Sequence, residues 1–331
     1  MSNSVIIIGA GASFDYIPNN DIRRDGSYQP PMANGLFSRQ FERFINLFPE
    51  VYGLSAGVAT AIRNGSGLED YLLKVQGFAA KNKDRQQQIN AMSFYLQKLF
   101  REVTINFGNQ SSNNYTSLVN YIKDSGGNTT VINFNYDLLF EEAVGYQFDK
   151  VDSYIANPIK IIKVHGAYNW IKILSDEHGY LHEIGNSYKF LMQEPWYLTR
   201  IKPSDDTIYI RDVYQQTVNS REFYYYPIIA IPVTGKNTFV CPEKHILSMT
   251  NALQEADKLL IIGWKAADSY LIKIMEEVIK KSLNTTVVSG TEKGIKEIQG
   301  RLSHIKNISF GPTVTTFSSF VGSSACEDFF T

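Results

Sequence analysis

Val5-Ile6-Ile7-Ile8-Gly9-Ala10-Gly11-Ala12-Ser13 is the stretch on which the reading of this 331-residue chain turns. Four successive branched apolar residues offer no polar face to water. They read as a strand covered on both sides, which is the pattern of a central strand in a parallel sheet. The small-residue turn that follows stands at the carboxyl end of that strand, where ligands sit in open α/β sheets. Gly9 and Gly11 let the backbone come close to a phosphate there, with N–H groups at the start of the next element aimed at it. The same residues also suit a tight turn with no ligand, because Phe14 stands where G-x-G-x-x-G has its third glycine.

The rest of the chain is compatible with one large α/β domain carrying an insertion. Hydrophobic residues make up 44% of it, enough to bury a substantial core. The 32 basic and 33 acidic residues nearly cancel, so there is no global basic field and no direct nucleic-acid binding is expected. Cys241 and Cys326 form no C-x-x-C pair, which excludes a cysteine-built zinc ribbon and argues against a disulfide framework. No metal site is expected. Residues 1–15 lack the basic and apolar regions of a signal peptide, and no apolar run reaches the roughly 18 residues of a membrane span. The expectation is a cytoplasmic protein without membrane contact.

Tyr16 to Gly35, rich in Asn, Asp, Pro, Arg and Gly, reads as a long loop, either a cover for a site or a surface segment. From Leu36, the apolar residues Phe37, Phe41, Phe44, Ile45 and Phe48 recur at three and four positions, which predicts one helix. Leu68 to Ala80 and Ile89 to Phe107 repeat the pattern around a polar segment, Lys81 to Gln88. Residues 36–125 are therefore expected to form a mostly helical insertion module, with 1–35 and 126–331 forming a Rossmann-like parallel sheet domain. Strands are expected at Thr129 onward, Ile159 to Val164, Tyr226 to Val233, Lys258 to Ile262 and Thr285 to Val288. Helices are expected at Leu138 to Val144, Asp268 to Lys281 and Thr291 to Leu302. Residues 171–225 show no clear period.

Several of these strands end in Gly, Asn, His or Ser, and a doubly wound sheet lines such ends along one edge. Asn135 and His165 are the chemically interesting ones. A neutral imidazole takes a proton from a hydroxyl or water, and an amide both donates to and accepts from a ribose or a water. A histidine beside a glycine also serves as a structural hydrogen-bonding residue. Asn133 shares a strand face with Asn135 by period-two alternation, and spacing does not choose between them. Asp137 suits either a helix cap or the site.

Gly9-Ala10-Gly11-Ala12-Ser13 with Asp15, then Asn135-Tyr136-Asp137, then His165-Gly166, then Gly263-Trp264 with Asp268, in this order and at about these separations, resemble the sirtuin-like domains of bacterial anti-phage defence proteins. The resemblance implies a Rossmann-like sheet with a helical module and a site for NAD. It implies that Gly9 to Ser13 hold the NAD phosphates and that Asn135 positions the nicotinamide ribose or the water. It further implies that Asp137 lies near the carboxamide, that His165 is the base, and that Gly263 and Ser289-Gly290 border the adenosine side. Gly11→Val is then expected to weaken NAD binding more than chemistry, Asn135→Ala to cut turnover at little cost in melting temperature, and Asn133→Ala to lower stability. Deacylase sirtuins carry a four-cysteine zinc module and a Gln before the site Asn. This chain has neither, with Phe134 in the Gln position, and Lys265 stands where defence-type domains often carry Ser or Thr.

What the resemblance implies is an NAD glycohydrolase that releases nicotinamide and ADP-ribose, an abortive-infection effector held off until infection. Departure of nicotinamide builds positive charge on the ribose, and a positioned amide and a base for water answer that demand. A non-catalytic NAD or ADP-ribose sensor is the alternative, and deacylation or ADP-ribosyl transfer a third. Activation is expected from self-assembly into a homo-oligomer or from a separately encoded partner, which by analogy is an Argonaute-like protein or a HerA-type ATPase.

Overall fold

A strand apolar at every position is stable only where both of its faces are covered, and the computed structural model places Val5–Ile8 in the middle of a six-stranded parallel sheet, at most 1% exposed. The structure describes residues 2–17, 29–108, 112–174, 186–196, 208–210, 217–218, 221–222, 224–233 and 238–331. The strands are β1 (Asn3–Ile8), β2 (Asn128–Asn133), β3 (Ile159–Lys163), β4 (Gly166–Leu174), β5 (Ile208–Ile210), β6 (Thr217–Val218), β7 (Arg221–Glu222), β8 (Tyr224–Ile229), β9 (Lys258–Ile262), β10 (Leu283–Ser289) and β11 (Ile308–Thr315).

The main sheet runs β11-β10-β9-β1-β2-β3. From β1 the chain steps outward through β2 to β3, returns to β9 on the other side of β1, and steps outward again through β10 to β11. This is the doubly wound order that binds dinucleotides, and its direction reverses between β1 and β9. The two strands pair in register, Ile8 opposite Ile262, so Gly9 and Gly263 emerge side by side at the carboxyl edge. Parallel strands need crossovers, and helices supply them: Glu243–Glu255 lies on β1, β2 and β3, Ser269–Val278 joins β9 to β10, and Glu292–Leu302 joins β10 to β11. Among the described residues no helix is long and apolar enough to cross a membrane.

Residues 36–125 are largely helical, with two departures from the reading of the sequence. Leu36 to Phe48 is not one helix: after a 3₁₀ turn at Ala33–Gly35, a second 3₁₀ turn, Arg39–Phe41, leads into the short helix Glu42–Ile45. Ser38 N–H donates to Gly35 O and Phe41 N–H to Ser38 O, while Phe41, Phe44 and Ile45 still face the core. The polar segment before Ile89 joins the following helix, which spans Lys83–Phe107 and starts on an Asn82 side chain that accepts from Arg85 N–H. Asn114–Ser125 packs on the sheet domain: Tyr115 lies against Phe140 and Phe317, and Tyr121 stacks on Phe330.

Tyr224–Ile229 is a strand, but it belongs to a separate antiparallel sheet, β5-β4-β8. That sheet packs against the Lys83–Phe107 helix, where Gln97 Nε2 donates to Tyr168 O at 3.0 Å and Ser93 Oγ meets Tyr226 OH at 2.7 Å. Its partner is a helix distant in sequence, which is why no local period organises this region.

Candidate active site

The ladder continues past the strand ends into a fixed turn. Gly9 N–H donates to Ile262 O at 2.9 Å, Gly11 N–H to Gly263 O at 3.1 Å, and Phe134 N–H to Ile8 O at 2.9 Å. A Cβ on Gly9 would stand 2.6 Å from Gly263 O and Trp264 Cα, and one on Gly11 2.8 Å from Gly263 Cα. Gly263 itself has φ of 63°. The two glycines are therefore required by the close approach of the β9 turn, a constraint distinct from ligand approach. Ala12 N–H donates to Gly9 O at 2.9 Å, so three N–H groups of this turn already have partners within the protein. Ala10 N–H, at the first position of the short helix Ala10–Phe14, has none among the described residues.

Two cavities flank the Gly263–Lys265 turn, of about 400 and 350 Å³, each within the usual range of ligand sites. The first is lined by Gly9, Ala10, Ser13, Asn135, Asp137, His165, Gly263, Trp264 and Asp268. The second is lined by Gly11, Asp15, Gly263, Trp264, Ser289 and Gly290. The residues assigned to the site from the sequence border one or both, except Ala12, which is buried under the Gly263 turn; Asn133 and Gly166 border neither.

His165 sits where β3 passes into β4. Its carbonyl accepts from Ala230 N–H at 2.9 Å, and Gly166 takes a left-handed φ of 74° in the tight passage beside β8. The imidazole packs edge-on against Phe134, with ring centroids 4.9 Å apart, and Phe134 in turn stacks on Trp264 at 5.3 Å. His165 Nε2 lies 3.3 Å from Asp268 Oδ2, while Asp268 Oδ1 accepts from Leu271 N–H at 2.9 Å and caps the Ser269–Val278 helix. Asp268, read from the sequence as a ligand contact, thus orients the histidine.

Asn135 is 5% exposed, and its amide nitrogen is heavily engaged: Nδ2 lies 3.2 Å from Gly9 O, 2.9 Å from Ser13 Oγ and 3.2 Å from Tyr115 OH. A backbone carbonyl only accepts, so the nitrogen is the atom that faces Gly9. Oδ1 is then the half of the amide with no partner among the described residues. Asn133 does other work. Its Oδ1 accepts from Asn135 N–H at 2.9 Å and fixes the strand end, and its Nδ2 is buried without a partner among the described residues.

Asp137 lines the first cavity and accepts from Ser13 Oγ at 3.3 Å and from Leu139 N–H at 3.2 Å, one position ahead of Leu138, the cap residue of the Leu139–Val144 helix. Burial raises its carboxyl above the usual range, against the pull of the Lys163 ammonium. Lys163 is fully buried; its Nζ donates to Asp137 O at 2.6 Å and lies 3.0 Å from Glu141 Oε1. Asp15 lines the second cavity, and its carboxylate accepts from Ser318 Oγ at 2.9 Å and Ser318 N–H at 3.0 Å, pinning the Phe317–Val321 helix.

Four charged lining residues were not singled out from the sequence as ligand contacts. Glu69 and Asp70, in the first turn of the Leu68–Ala79 helix, bring two more carboxylates to the first cavity, and Glu69 lies close enough to Tyr136 to help raise its phenol pKa. Lys265 lines both cavities, and Arg301 reaches back to Lys265 O at 2.6 Å. Acidic residues opening a helix read as ordinary cap chemistry, so nothing local marks them. Among the described residues no group of three or more His, Cys, Asp and Glu is placed to hold a metal.

No protein-family model matches the chain, and no curated protein matches it. Solved structures do. A chain from work on the mechanism and regulation of Sir2 enzymes is similar at 13% identity with a TM-score of 0.43, over 98% of this chain and 91% of that one. Sir2 with the inhibitor EX-527, 2'-O-acetyl-ADP-ribose and a deacetylated p53 peptide has the same identity and TM-score, over 99% of this chain and 94% of that one. Sir2Tm bound to a propionylated peptide is similar at 13% identity and a TM-score of 0.43, over 99% and 94%.

Proposed function

We propose that the chain is an NAD glycohydrolase that cleaves the bond from nicotinamide to ribose at the edge of β1 and β9. The observation that carries the reading is the juxtaposition, in one cavity at the switch point of a doubly wound sheet, of Asn135 and a His165 oriented by Asp268. Switch points are where dinucleotides lie in such sheets, and the two cavities on either side of Gly263 suit the two halves of an extended dinucleotide.

The chemistry follows from the charges. NAD carries its positive charge on the pyridinium, and as nicotinamide leaves, that charge moves onto the ribose. Glu69, Asp70, Asp137 and Asp268 give the first cavity a surplus of carboxylates that favours a cation. Asn135, held rigid through its nitrogen, presents Oδ1 to the ribose or to the attacking water. His165 accepts the proton of that water, and Asp268 stabilises the imidazolium that results. Control by self-assembly or by a separate partner and a role in anti-phage defence belong to the same proposal and rest on the motif resemblance, while a cytoplasmic setting rests on the cysteine usage and the character of residues 1–15.

One observation favours a second reading, a non-catalytic NAD or ADP-ribose sensor. The donors of Asn135 are consumed by Gly9, Ser13 and Tyr115, as they would be in a residue that only shapes a pocket. Incubating the purified chain with NAD, and separately with NAD plus an acylated peptide, separates the readings. Equimolar nicotinamide and ADP-ribose from NAD alone is the expected result, binding without release favours the sensor, and release that requires the peptide favours a deacylase.

A further inference from the structure

We propose that Lys265 pairs with the phosphates of the dinucleotide where the two cavities meet. The inference rests on the NAD reading and asks how this chain holds two negative charges. The glycine turn supplies little: the N–H groups of Gly9, Gly11 and Ala12 donate to Ile262, Gly263 and Gly9 carbonyls. Buried acceptor-rich phosphates need donors, and charged donors serve them best.

Among the described residues that line the two cavities, the lysine and arginine side chains are Lys265 and Arg301, and Lys265 alone borders both. The Arg301 guanidinium is engaged with the Lys265 carbonyl at 2.6 Å, so it holds the turn in place. Lys265 is exposed and makes no ion pair with another described residue. The backbone around it is left-handed at two positions: Gly263 takes φ of 63°, which a glycine does freely, and Ala266, an L-residue, takes φ of 50° at a cost in strain. A left-handed residue on either side throws Trp264 inward against Phe134 and leaves Lys265 at the mouth between the cavities.

The carboxylates of Glu69, Asp70, Asp137 and Asp268 line the first cavity, that of Asp15 lines the second and is taken up by Ser318, and Lys265 borders both. An ammonium adds to a phosphate contact an attraction that salt screens.

The test is calorimetric titration of the full chain at low and high salt with three probes: NAD, ADP-ribose and nicotinamide riboside, which has no phosphate. Lys265→Gln should weaken NAD and ADP-ribose by about tenfold and flatten their salt dependence, and Lys265→Arg should restore most of the affinity. Nicotinamide riboside should bind wild type and Lys265→Gln alike. Undiminished NAD and ADP-ribose affinity in Lys265→Gln overturns the proposal and leaves the NAD reading standing, as does an equal loss for nicotinamide riboside, which would assign Lys265 to the shape of the turn. A wild-type chain that binds neither NAD nor ADP-ribose overturns both.

Discussion

One carboxylate, that of Asp268, serves His165 and a helix at the same time: Oδ2 lies 3.3 Å from His165 Nε2 and Oδ1 accepts Leu271 N–H at 2.9 Å. The two duties are separable by substitution. Asn caps a helix as well as Asp but carries no charge. Asp268→Asn should keep the wild-type melting temperature and lose turnover by about 10- to 100-fold, part of the roughly 10²–10⁴ that a positioned base contributes. Asp268→Ala should lose the same activity and also about 1 kcal/mol of stability. Equal turnover in wild type and Asp268→Asn would reduce the contact to packing.

Gly11→Val separates binding from folding differently than the sequence implied. A Cβ there meets Gly263 Cα at 2.8 Å, backbone that has no rotamer in which to retreat. The side chain should force β9 and its turn away from β1 and lower the melting temperature, with a stability loss of about 1–3 kcal/mol or more. Any loss of NAD affinity should come with that change. A Gly11→Val protein of full stability and reduced affinity would restore the simpler reading, in which the glycine only makes room for phosphate.

Asn133 and Asn135 differ in what their loss exposes. Asn133→Ala removes the acceptor for Asn135 N–H and should cost about 1–3 kcal/mol with most activity retained. Asn135→Ala should cut turnover by roughly 10²–10³. It should also destabilise, contrary to the expectation from sequence, because Gly9 O, Ser13 and Tyr115 lose a shared donor. Melting and turnover on the same preparations decide the matter; an inactive Asn133→Ala beside an active Asn135→Ala would exchange the roles.

Glu142 gives the fold a pH dependence. Although the residue is exposed, its carboxylate turns back over Gly108, where burial, with Glu141 and Asp137 nearby, raises its pKa to about 7. A carboxyl pKa raised on folding means that the folded state holds the proton more tightly. Stability is then greatest below the unfolded pKa and falls as pH rises from about 4.5 toward 7. Glu142→Gln should be less sensitive to pH across that window and more stable at pH 8, by less than about 1 kcal/mol because solvent screens the exposed side. Parallel melting curves for the two proteins from pH 5 to pH 8 would remove Glu142 from the account.

The parts of the fold legible in the sequence were those whose environment is uniform along the chain. Val5–Ile8 declares a strand buried on both faces, and Lys258–Ile262 does nearly the same. The edge strand β11 went unread because one side of it faces solvent and Gly311-Pro312 interrupts it, which only an edge tolerates. Much of 171–225 lies outside the described residues; within it, β4 and β8 gave no period because they pack on a helix that precedes them by over a hundred positions in part, and no local spacing records such a partner. At the site, Asn135 and His165 were visible as polar residues at strand ends. Their dependence on Gly9, Ser13, Tyr115 and Asp268 was not, since those partners are adjacent only once β1, β2, β3 and β9 are in register.

The measurement that bears most directly on the central claim is nicotinamide release from NAD by wild type and His165→Ala, with NAD titration and melting on the same preparations. The account predicts nicotinamide and ADP-ribose in equal amounts from the wild type. His165→Ala should bind NAD and melt close to wild type but turn over slower by roughly 10²–10⁴. A His165→Ala variant that releases nicotinamide at the wild-type rate, or a wild type that binds NAD and releases none, would contradict it.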